Sequence, residues 1–410
     1  MRTLALLTTL VLAGALSAHA LTPAEVEHAA AGATRGLRSV TKRLASPAFG
    51  GRDNNTPESS KAQRDLIKRL RRLGPGLDAS APSDDAYRQP FVQSGQIGTN
   101  LFAVIRGREL PDEYVLVGGH YDHLGSRSNA AGDCASRRAP GTEMCPGATD
   151  NAAGTAIVLA VGKAIRKLPM APRRSIILAL WDSEEDGLLG SLYYVNHPIV
   201  PLAQTVGYVN MDLQGANLLP SLNRTSFAVG AETGGSAFSA FVAQAVADEG
   251  GLNTLPVSYI FGQLRSDYAN LVDAGVPTVF FGDSSGSCYH TTGDTFDKVD
   301  MQKLQMQSRI AFRTTMALAE SPTRVPFRGA DPALAKFEDA VSLLDVFSRA
   351  QADLPIFPPV DQLVLQQIYA DLAGVVQNGP DNFDDGAIVT TLNAALQGID
   401  ALTRLPCQKF

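Results

Sequence analysis

The run Ser175-Ile-Ile-Leu-Ala-Leu-Trp181 is continuously apolar after its first residue and ends just before two adjacent acids, Glu184 and Glu185. An unbroken apolar run of this length is typical of a strand that is covered on both faces of a sheet. Similar short apolar runs recur at residues 101–105, 114–117, 206–211, 226–229 and 278–281. Because they alternate with helical patterns, we predict an α/β fold: a mostly parallel, mixed sheet with helices on both faces.

Segments of helical periodicity lie between these runs, at residues 57–73, 151–168, 187–197, 236–249 and 300–319, and also before the first run, at 21–50. After about residue 325 the helical spacing continues without strands, at 334–347, 360–376 and 387–402. We therefore predict a main domain over residues 21–324, followed by a C-terminal helical extension over residues 325–410.

Composition limits the classes of function. The chain has 410 residues, a formal net charge of -6 and 45% hydrophobic residues. This hydrophobic content is enough for a substantial core. The mild acidity argues against a nucleic-acid partner, since such proteins usually present a basic face.

The first twenty residues have the pattern of a cleavable signal peptide. Arg2 precedes an apolar stretch from Leu4 to Leu16, and Ala18-His19-Ala20 has the small-x-small form of a cleavage site. The alternative, an N-terminal membrane anchor, is disfavoured because the stretch is shorter than a span of about 20 residues. We expect a periplasmic or secreted protein, without a membrane span in the mature chain.

The four cysteines agree with an exported protein. Cys134 and Cys145 flank a polar loop that a disulfide between them would close, and Cys288 and Cys407 remain as a second pair. Four cysteines allow three connectivities, and the sequence does not choose among them. Free thiols are less expected in an oxidising compartment.

Residue types that bind divalent metal ions follow the apolar runs or precede a helix. They are His120, Asp122, Asp150, Glu184, Glu185, Asp212 and His290. Each has an ordinary structural explanation when taken alone, such as a helix N-cap for Asp150. Together they lie where ligands bind in parallel sheets, at the carboxyl ends of the strands. Two divalent ions about 3.5–4 Å apart can activate water and polarise a carbonyl group.

Local spacing suggests different tasks for neighbouring side chains. A two-residue step in extended chain places His120 and Asp122 on one side, so that Asp122 can orient the imidazole. By the same alternation His123 is expected to project away and to be structural. Glu184 and Glu185 should point in different directions, so that one can bind metal while the other reaches a water molecule.

Five motifs resemble those of the co-catalytic zinc aminopeptidases of metallopeptidase family twenty-eight. They are Gly119-His-Tyr-Asp-His-Leu-Gly125, Pro146-Gly-Ala-Thr-Asp-Asn-Ala-Ala-Gly154, Asp182-Ser-Glu-Glu-Asp-Gly-Leu-Leu-Gly-Ser191, Asn210-Met-Asp212 and Tyr289-His-Thr-Thr-Gly-Asp294. Phe49-Gly-Gly-Arg52 and the region from Ser266 to Pro277 also look similar. The resemblance covers roughly residues 40–320 and implies a sandwich of the zinc-exopeptidase and phosphorylase type.

The resemblance implies two Zn²⁺ ions per chain. His120, Asp150 and Asp212 would hold one ion, and Asp150, Glu185 and His290 the other, with Asp150 as the bridging carboxylate.

Other residues would act on the water and the substrate. By the resemblance, Glu184 would be the general base that deprotonates a metal-bridging water, and Asp122 would orient its histidine. Tyr289 is similar to a tyrosine that helps to polarise the carbonyl in some members. Thr149 departs from the family pattern, because many members have a second Asp at this position. The ligand Asp150 is kept, so we expect only the surroundings of the ligands to differ from those of other members.

The expected function is that of an exported zinc metallo-exopeptidase, and we favour an aminopeptidase acting on peptide or protein N-termini. A carboxypeptidase of the same family is the nearest alternative, with Arg265 as a candidate partner for a terminal carboxylate. A glutaminyl-cyclase-like transferase is disfavoured because Tyr289, not a tryptophan, precedes the last histidine. A non-catalytic binding member is disfavoured because all the ligand residues are present. Side-chain preference, oligomeric state and the role of residues 325–410 stay open.

Overall fold

An eight-stranded mixed sheet forms the centre of the protein. The computed structural model describes residues 20–329 and 334–410, apart from residues 79, 82, 127–132 and 135–142. The predicted signal peptide, except for Ala20, lies outside the described residues, as does most of the loop between Cys134 and Cys145.

The eight strands of this mixed sheet are numbered here in chain order. They are β1 (Arg88–Gln93), β2 (Gln96–Ile105), β3 (Leu110–His120), β4 (Arg174–Trp181), β5 (Thr205–Met211), β6 (Thr225–Val229), β7 (Asn253–Val257) and β8 (Thr278–Gly282). Their order in the sheet is β1-β2-β4-β3-β5-β8-β6-β7. Strands β4, β3, β5 and β8 are mutually parallel, whereas β2 is antiparallel to β4 and β6 is antiparallel to β8. The predicted α/β class and mixed, mostly parallel sheet are confirmed.

The helices are α1 (Pro23–Gly32), α2 (Leu37–Leu44), α3 (Pro57–Leu70), α4 (Ala153–Ile165), α5 (Leu189–Asn196), α6 (Gly235–Glu249), α7 (Tyr268–Asp273), α8 (Met301–Glu320), α9 (Phe337–Ala350), α10 (Pro359–Asn378) and α11 (Asp385–Thr403). Side chains fix where several of them begin. Thr56 caps α3 by accepting a hydrogen bond from the Ser59 N–H, and Asp300 caps α8 in the same way. The sequence pattern does not predict β1, β7 or the short helix α7.

Strand β4 shows why an unbroken apolar run suits the middle of this sheet. Leu178 lies in the hydrophobic cluster that contains α4 and α8, and its neighbour Ala179 lies in the cluster on the opposite face with Tyr194 of α5. All eight residues of β4 are buried. Burial of a leucine side chain contributes roughly 1.5–3 kcal/mol, so both faces of this strand stabilise the domain.

The predicted C-terminal helices are present as α9, α10 and α11. They form a third hydrophobic cluster together with Leu218, Leu219 and Leu222, which follow β5. Helix α9 is also fixed to the segment around β7, because the Ser342 hydroxyl donates a hydrogen bond to the Pro256 carbonyl at 2.8 Å. The domain boundary at residues 324 and 325 stays a prediction.

Two disulfide bonds join the four cysteines, Cys134 to Cys145 and Cys288 to Cys407. The second bond connects the loop after β8 to the chain just beyond α11, so it ties the C-terminal extension to the main sheet. Among the described residues, no helix is both long enough and apolar enough to cross a membrane.

Candidate active site

The predicted site residues meet at one edge of the sheet. The carboxyl ends of the parallel strands β3, β4, β5 and β8 lie together there, as expected for an α/β sheet. His120 ends β3, Glu184 and Glu185 follow β4, Asp212 follows β5, His290 lies in the loop after β8, and Asp150 lies in the turn before α4. The topology therefore brings together side chains that are up to 170 residues apart in the chain.

Asp150 lies between two histidines. Its Oδ1 atom is 3.3 Å from His120 Nε2, and its Oδ2 atom is 3.2 Å from His290 Nε2. His120 Nε2 also lies 3.1 Å from Asp212 Oδ1, and His290 Nε2 lies 3.0 Å from Glu185 Oε2. The two oxygens of one carboxylate thus face two separate ligand groups, which is the arrangement that a bridging ligand needs.

Asp122 connects the first histidine to the two glutamates. Its Oδ1 atom lies 3.5 Å from His120 Nδ1. The same carboxylate accepts hydrogen bonds from the backbone N–H groups of Glu184, at 3.2 Å, and Glu185, at 3.3 Å. Asp122 therefore positions both the imidazole and the backbone that carries the glutamates, which is more than the orienting role expected from spacing.

The two adjacent glutamates have opposite electrostatic surroundings. Burial raises the pKa of Glu184 well above its ordinary value, and the Asp212 charge adds to this against the opposing effect of His120. Burial and the Asp150 charge would also raise the pKa of Glu185, but His290 and His123 lower it to about 2. Pairs of carboxyl groups whose pKa values are pushed apart commonly divide into a proton-transfer group and a permanently charged one.

The donor atoms of the cluster fit a divalent metal ion. Those of His120, Asp150 and Asp212 all lie within 4.8 Å of one another. The carboxylates of Asp150 and Asp212 are buried, and within the described part of the chain they form ion pairs with histidines alone. Imidazole nitrogen and carboxylate oxygen are ligands that zinc accepts. The set can hold a metal, although the role of each residue as a ligand stays a prediction.

A family comparison agrees with this geometry. The model of Peptidase family M28 matches residues 100–315, which is just over half of the chain and includes all the residues of the cluster. The chain belongs to peptidase family M28. The expected family and the expectation of a metallopeptidase are therefore confirmed at the level of the family.

Individual M28 relatives match only in part. The aminopeptidase NAALADL1 of Mus musculus is 30% identical over 151 residues, which are 35% of this chain and 18% of that protein. Other curated relatives are described as probable glutamate carboxypeptidases. The matched region spans about a fifth of the length of the mouse aminopeptidase, so the activity and substrates of this chain are matters for proposal.

Solved structures confirm the zinc-exopeptidase fold. The Legionella pneumophila LapA aminopeptidase has a TM-score of 0.57 at 16% identity, covering 79% of this chain and 81% of that chain. The glutaminyl cyclase of Porphyromonas gingivalis has a TM-score of 0.55 at 18% identity, covering 68% of this chain and 96% of that chain. At such identities the likeness concerns the fold alone, because different activities share this fold.

The position of His123 in the M28 site differs from the one expected from the sequence. Instead of projecting away, its Nδ1 atom lies 2.6 Å from Glu185 Oε1 and 3.9 Å from Asp150 Oδ2. Strand β3 ends at His120, so the alternation of an extended chain does not apply to the residues that follow. His123 is buried and positions Glu185 by contacting Oε1, whereas His290 contacts Oε2 of the same carboxylate.

Asp294, the last residue of the family-like motif that begins at Tyr289, holds the turn before α4. Its carboxylate accepts hydrogen bonds from the backbone N–H of Thr149, the Thr149 hydroxyl and the backbone N–H of Asp150, at 2.9 to 3.1 Å. Burial raises the pKa of Asp294, against the opposing effect of these hydrogen bonds. Thr149, the residue that departs from the family pattern, thus helps to hold the turn that carries Asp150.

Arg52, in the family-like stretch from Phe49 to Arg52, supports the site from a distance. Its guanidinium is fully buried and donates hydrogen bonds to four backbone carbonyls, those of Tyr121, Leu44, Pro146 and Gly147, at 2.7 to 2.9 Å. Burial lowers the pKa of Arg52 to about 10, while the charges of Asp150 and Asp122 oppose this change. Arg52 therefore joins the segment after β3 to the turn before Asp150.

Tyr289 lies beside the cluster. Its ring stacks on His290, with ring centroids 3.8 Å apart, and its hydroxyl accepts a hydrogen bond from Arg265 Nη2 at 3.1 Å. Burial raises the pKa of Tyr289 well above its ordinary value, so the phenol stays protonated at neutral pH. A neutral phenol can donate a hydrogen bond to a carbonyl oxygen, which is what the predicted role of Tyr289 in polarising the carbonyl requires.

Proposed function

We propose that this chain is an exported M28 zinc aminopeptidase with two Zn²⁺ ions that removes residues from the N-termini of peptides. The observation that carries the proposal is the position of Asp150 between the His120 and His290 groups, with Glu184 beside them. Glu184 Oε2 lies 3.9 Å from His120 Nε2. Neither of the two predicted sets of metal ligands includes Glu184.

The residues divide into two ligand groups that share one carboxylate. His120, Asp150 and Asp212 would hold the first ion, and Asp150, Glu185 and His290 would hold the second. When bound, such ions lower the pKa of a water molecule and polarise the carbonyl of the peptide bond.

Glu184 would move the proton. A general base works best when its pKa lies near the operating pH, and burial shifts the pKa of Glu184 in that direction. Its carboxylate would take the proton from the attacking water and pass it to the nitrogen of the leaving amine. Glu185, held anionic by His290 and His123, is suited to binding metal and not to proton transfer.

The charge around the site supports a free amine as the end that is recognised. Two Zn²⁺ ions would offset the charge of the carboxylates that bind them, so recognition of one end of the substrate depends on the charges beyond the ligands. A cavity lies beside Asp212 and Tyr289. Among the described residues that line it, Arg265 is the only cationic side chain, and it is exposed. We therefore favour an aminopeptidase.

A carboxypeptidase is the second candidate, and Arg265 is the observation in its favour. Its guanidinium lies 5.5 Å from the centre of the Tyr289 ring, close enough to the site to reach a terminal carboxylate. Arginine binds carboxylates well because its two parallel N–H groups match their geometry.

Export is a further part of the proposal. The pattern of residues 1–20 and the two disulfide bonds support a periplasmic or secreted location, because disulfides persist in oxidising compartments. N-terminal sequencing of the protein recovered from its native culture would test it. A first residue close to Leu21 is expected, whereas recovery of the intact N-terminus would contradict export with cleavage.

The end that is cleaved can be tested with matched substrates. Leucyl-p-nitroanilide carries a free amine, N-acetyl-leucyl-p-nitroanilide carries a blocked one, and an N-acetylated dipeptide offers only a free carboxylate. We expect the zinc-loaded chain to hydrolyse the first alone, and a chelator to abolish the activity until zinc is restored. Hydrolysis of the N-acetylated dipeptide alone would instead support the carboxypeptidase.

A further inference from the structure

An apolar cavity of about 130 Å³ adjoins the candidate active site. Asp212, a predicted metal ligand, and Tyr289 are among the residues that line it, so the cavity lies beside the predicted metal ligands. Its walls come from two parts of the chain. Phe227 and Phe280 belong to strands β6 and β8 of the sheet, whereas Phe347 and Leu402 belong to helices α9 and α11 of the C-terminal extension.

The size of this cavity limits what it can hold. An apolar cavity of ~150 Å³ in another protein binds a benzene molecule, so a cavity of about this size accommodates one large apolar side chain. Asp212 and Arg265 are the only charged residues among the described residues that line the cavity, so a charged side chain in its apolar part would lose its hydration without gaining a partner, and that desolvation is costly. The cavity therefore suits a leucine or phenylalanine side chain and excludes lysine or glutamate.

The cavity depends on the C-terminal extension. The family match ends at residue 315, and helix α9 begins at Phe337, so 10 of the 27 residues that line the cavity lie outside the region shared with the family. The shape of the cavity is consequently a property of this chain that family membership does not supply.

The wall contributed by the extension is fixed in place. The disulfide between Cys288 and Cys407 anchors the chain after α11 two residues from His290. At the other end, the Asp339 carboxylate of α9 accepts a hydrogen bond from the Ser258 N–H at 2.7 Å. A wall held at both ends keeps one cavity shape, and a fixed shape discriminates among side chains.

We infer that the C-terminal extension completes the pocket that receives the side chain of the substrate's N-terminal residue, and that the enzyme prefers a large apolar residue there. The inference rests on the proposed aminopeptidase function. In that reaction the amine and the carbonyl of the N-terminal residue both lie at the site, and its side chain branches from the carbon between them. That side chain must therefore enter the space beside Asp212, which is this cavity.

Two substitutions on α11 test the inference. Ala395 lines the cavity, so Ala395→Phe would fill it, whereas Gln397 is exposed on the same helix and Gln397→Phe serves as the matched control. The measurement is kcat/KM for phenylalanyl-, leucyl- and alanyl-p-nitroanilide with the zinc-loaded full chain. One methylene group in an apolar pocket changes kcat/KM by about 10- to 200-fold, so large changes are expected.

We expect the wild type to favour phenylalanine and leucine over alanine. Ala395→Phe should lower this preference by at least about tenfold while activity on the alanine substrate is retained, and Gln397→Phe should change it less than about twofold. Retained activity on the alanine substrate also shows that the variant is folded. If Ala395→Phe does not fold, Ala395→Leu adds fewer atoms to the cavity and gives the same comparison.

The outcomes separate the two proposals. If the wild type hydrolyses the substrates but Ala395→Phe leaves the preference unchanged, or lowers all three rates equally, the pocket is assigned wrongly and the aminopeptidase function stands. If the wild type hydrolyses none of the three substrates, the proposed function is wrong and the inference is rejected with it.

Discussion

The Asp294 carboxylate accepts a hydrogen bond from the backbone N–H of Asp150 at 3.1 Å, and so orients the residue predicted to bridge both metal ions. The same carboxylate binds the backbone N–H and the hydroxyl of Thr149. Removing it would leave buried donors without an acceptor, at a cost of about 1–3 kcal/mol each. The turn before α4 would then hold Asp150 less firmly.

We therefore expect Asp294→Ala to weaken zinc affinity by about 10- to 100-fold, the usual effect of removing a residue that orients a ligand. Asp294→Asn keeps one acceptor oxygen and should have a smaller effect. Asp297→Ala removes an exposed acid three residues away and is the control. Titration with a competing chelator measures the affinities, and equal values for Asp294→Ala and the control would contradict this role.

His123 should affect zinc affinity through its contact with Glu185. Because its Nδ1 atom lies 2.6 Å from Glu185 Oε1, His123→Ala should free that carboxylate to rotate and lower zinc affinity by about 10- to 100-fold. An asparagine amide can occupy the position of Nδ1, so His123→Asn should recover part of the affinity. His197→Ala changes an exposed histidine and should have no effect. Unchanged zinc affinity in His123→Ala would contradict this role and indicate that the histidine is purely structural.

The two disulfides should contribute unequally to stability. The bond from Cys288 to Cys407 spans 119 residues, whereas that from Cys134 to Cys145 spans 11. In the chain-entropy model the longer loop gives about 2 kcal/mol more stabilisation. Paired substitutions to serine should therefore lower the free energy of unfolding more for the first bond, as measured by urea denaturation. An equal or reversed order would contradict this prediction.

The pH dependence of the activity should reflect the ionisation of Glu184. As a base it must be ionised, and burial raises its pKa above the ordinary value of 4.5. Activity should accordingly be lost as the pH falls through that raised pKa and recovered as the pH rises through it. Glu185, with a pKa near 2, stays ionised over the same range. The profile of kcat/KM against pH should show an acid limb with its midpoint above 4.5, and a midpoint at or below 4.5 would contradict the assignment.

The central strands could be predicted because burial on both faces gives them unbroken apolar runs, as in β4. The two strands that the pattern misses are the edges of the sheet, β1 and β7. Pro90 lies within β1 and Pro256 within β7, and proline argues against a strand unless the strand is at an edge. Helix α7 has six residues, too few for helical periodicity to show.

The sequence predicts which residues meet at the site, but not all the contacts that they make there. The order of strand ends predicts that His120, Glu185 and Asp212 lie at one edge, because parallel strands share their carboxyl ends, and the structure places them there. The position of His123 could not be predicted from alternation, since the backbone leaves the extended conformation after β3. The contacts of Arg52 depend on carbonyl groups from the end of α2, the residues after β3 and the turn before α4, which only the folded chain brings together.

The most direct test of the central claim compares zinc content and turnover in the wild type and Glu184→Gln, prepared side by side. If Glu184 is the general base and not a ligand, both proteins should bind two zinc ions per chain with similar affinity. Turnover of the preferred aminoacyl-p-nitroanilide should fall by at least about 10²-fold in the variant, the usual contribution of a general base. A variant that keeps its turnover, or one that loses activity only because it loses zinc, would contradict the account.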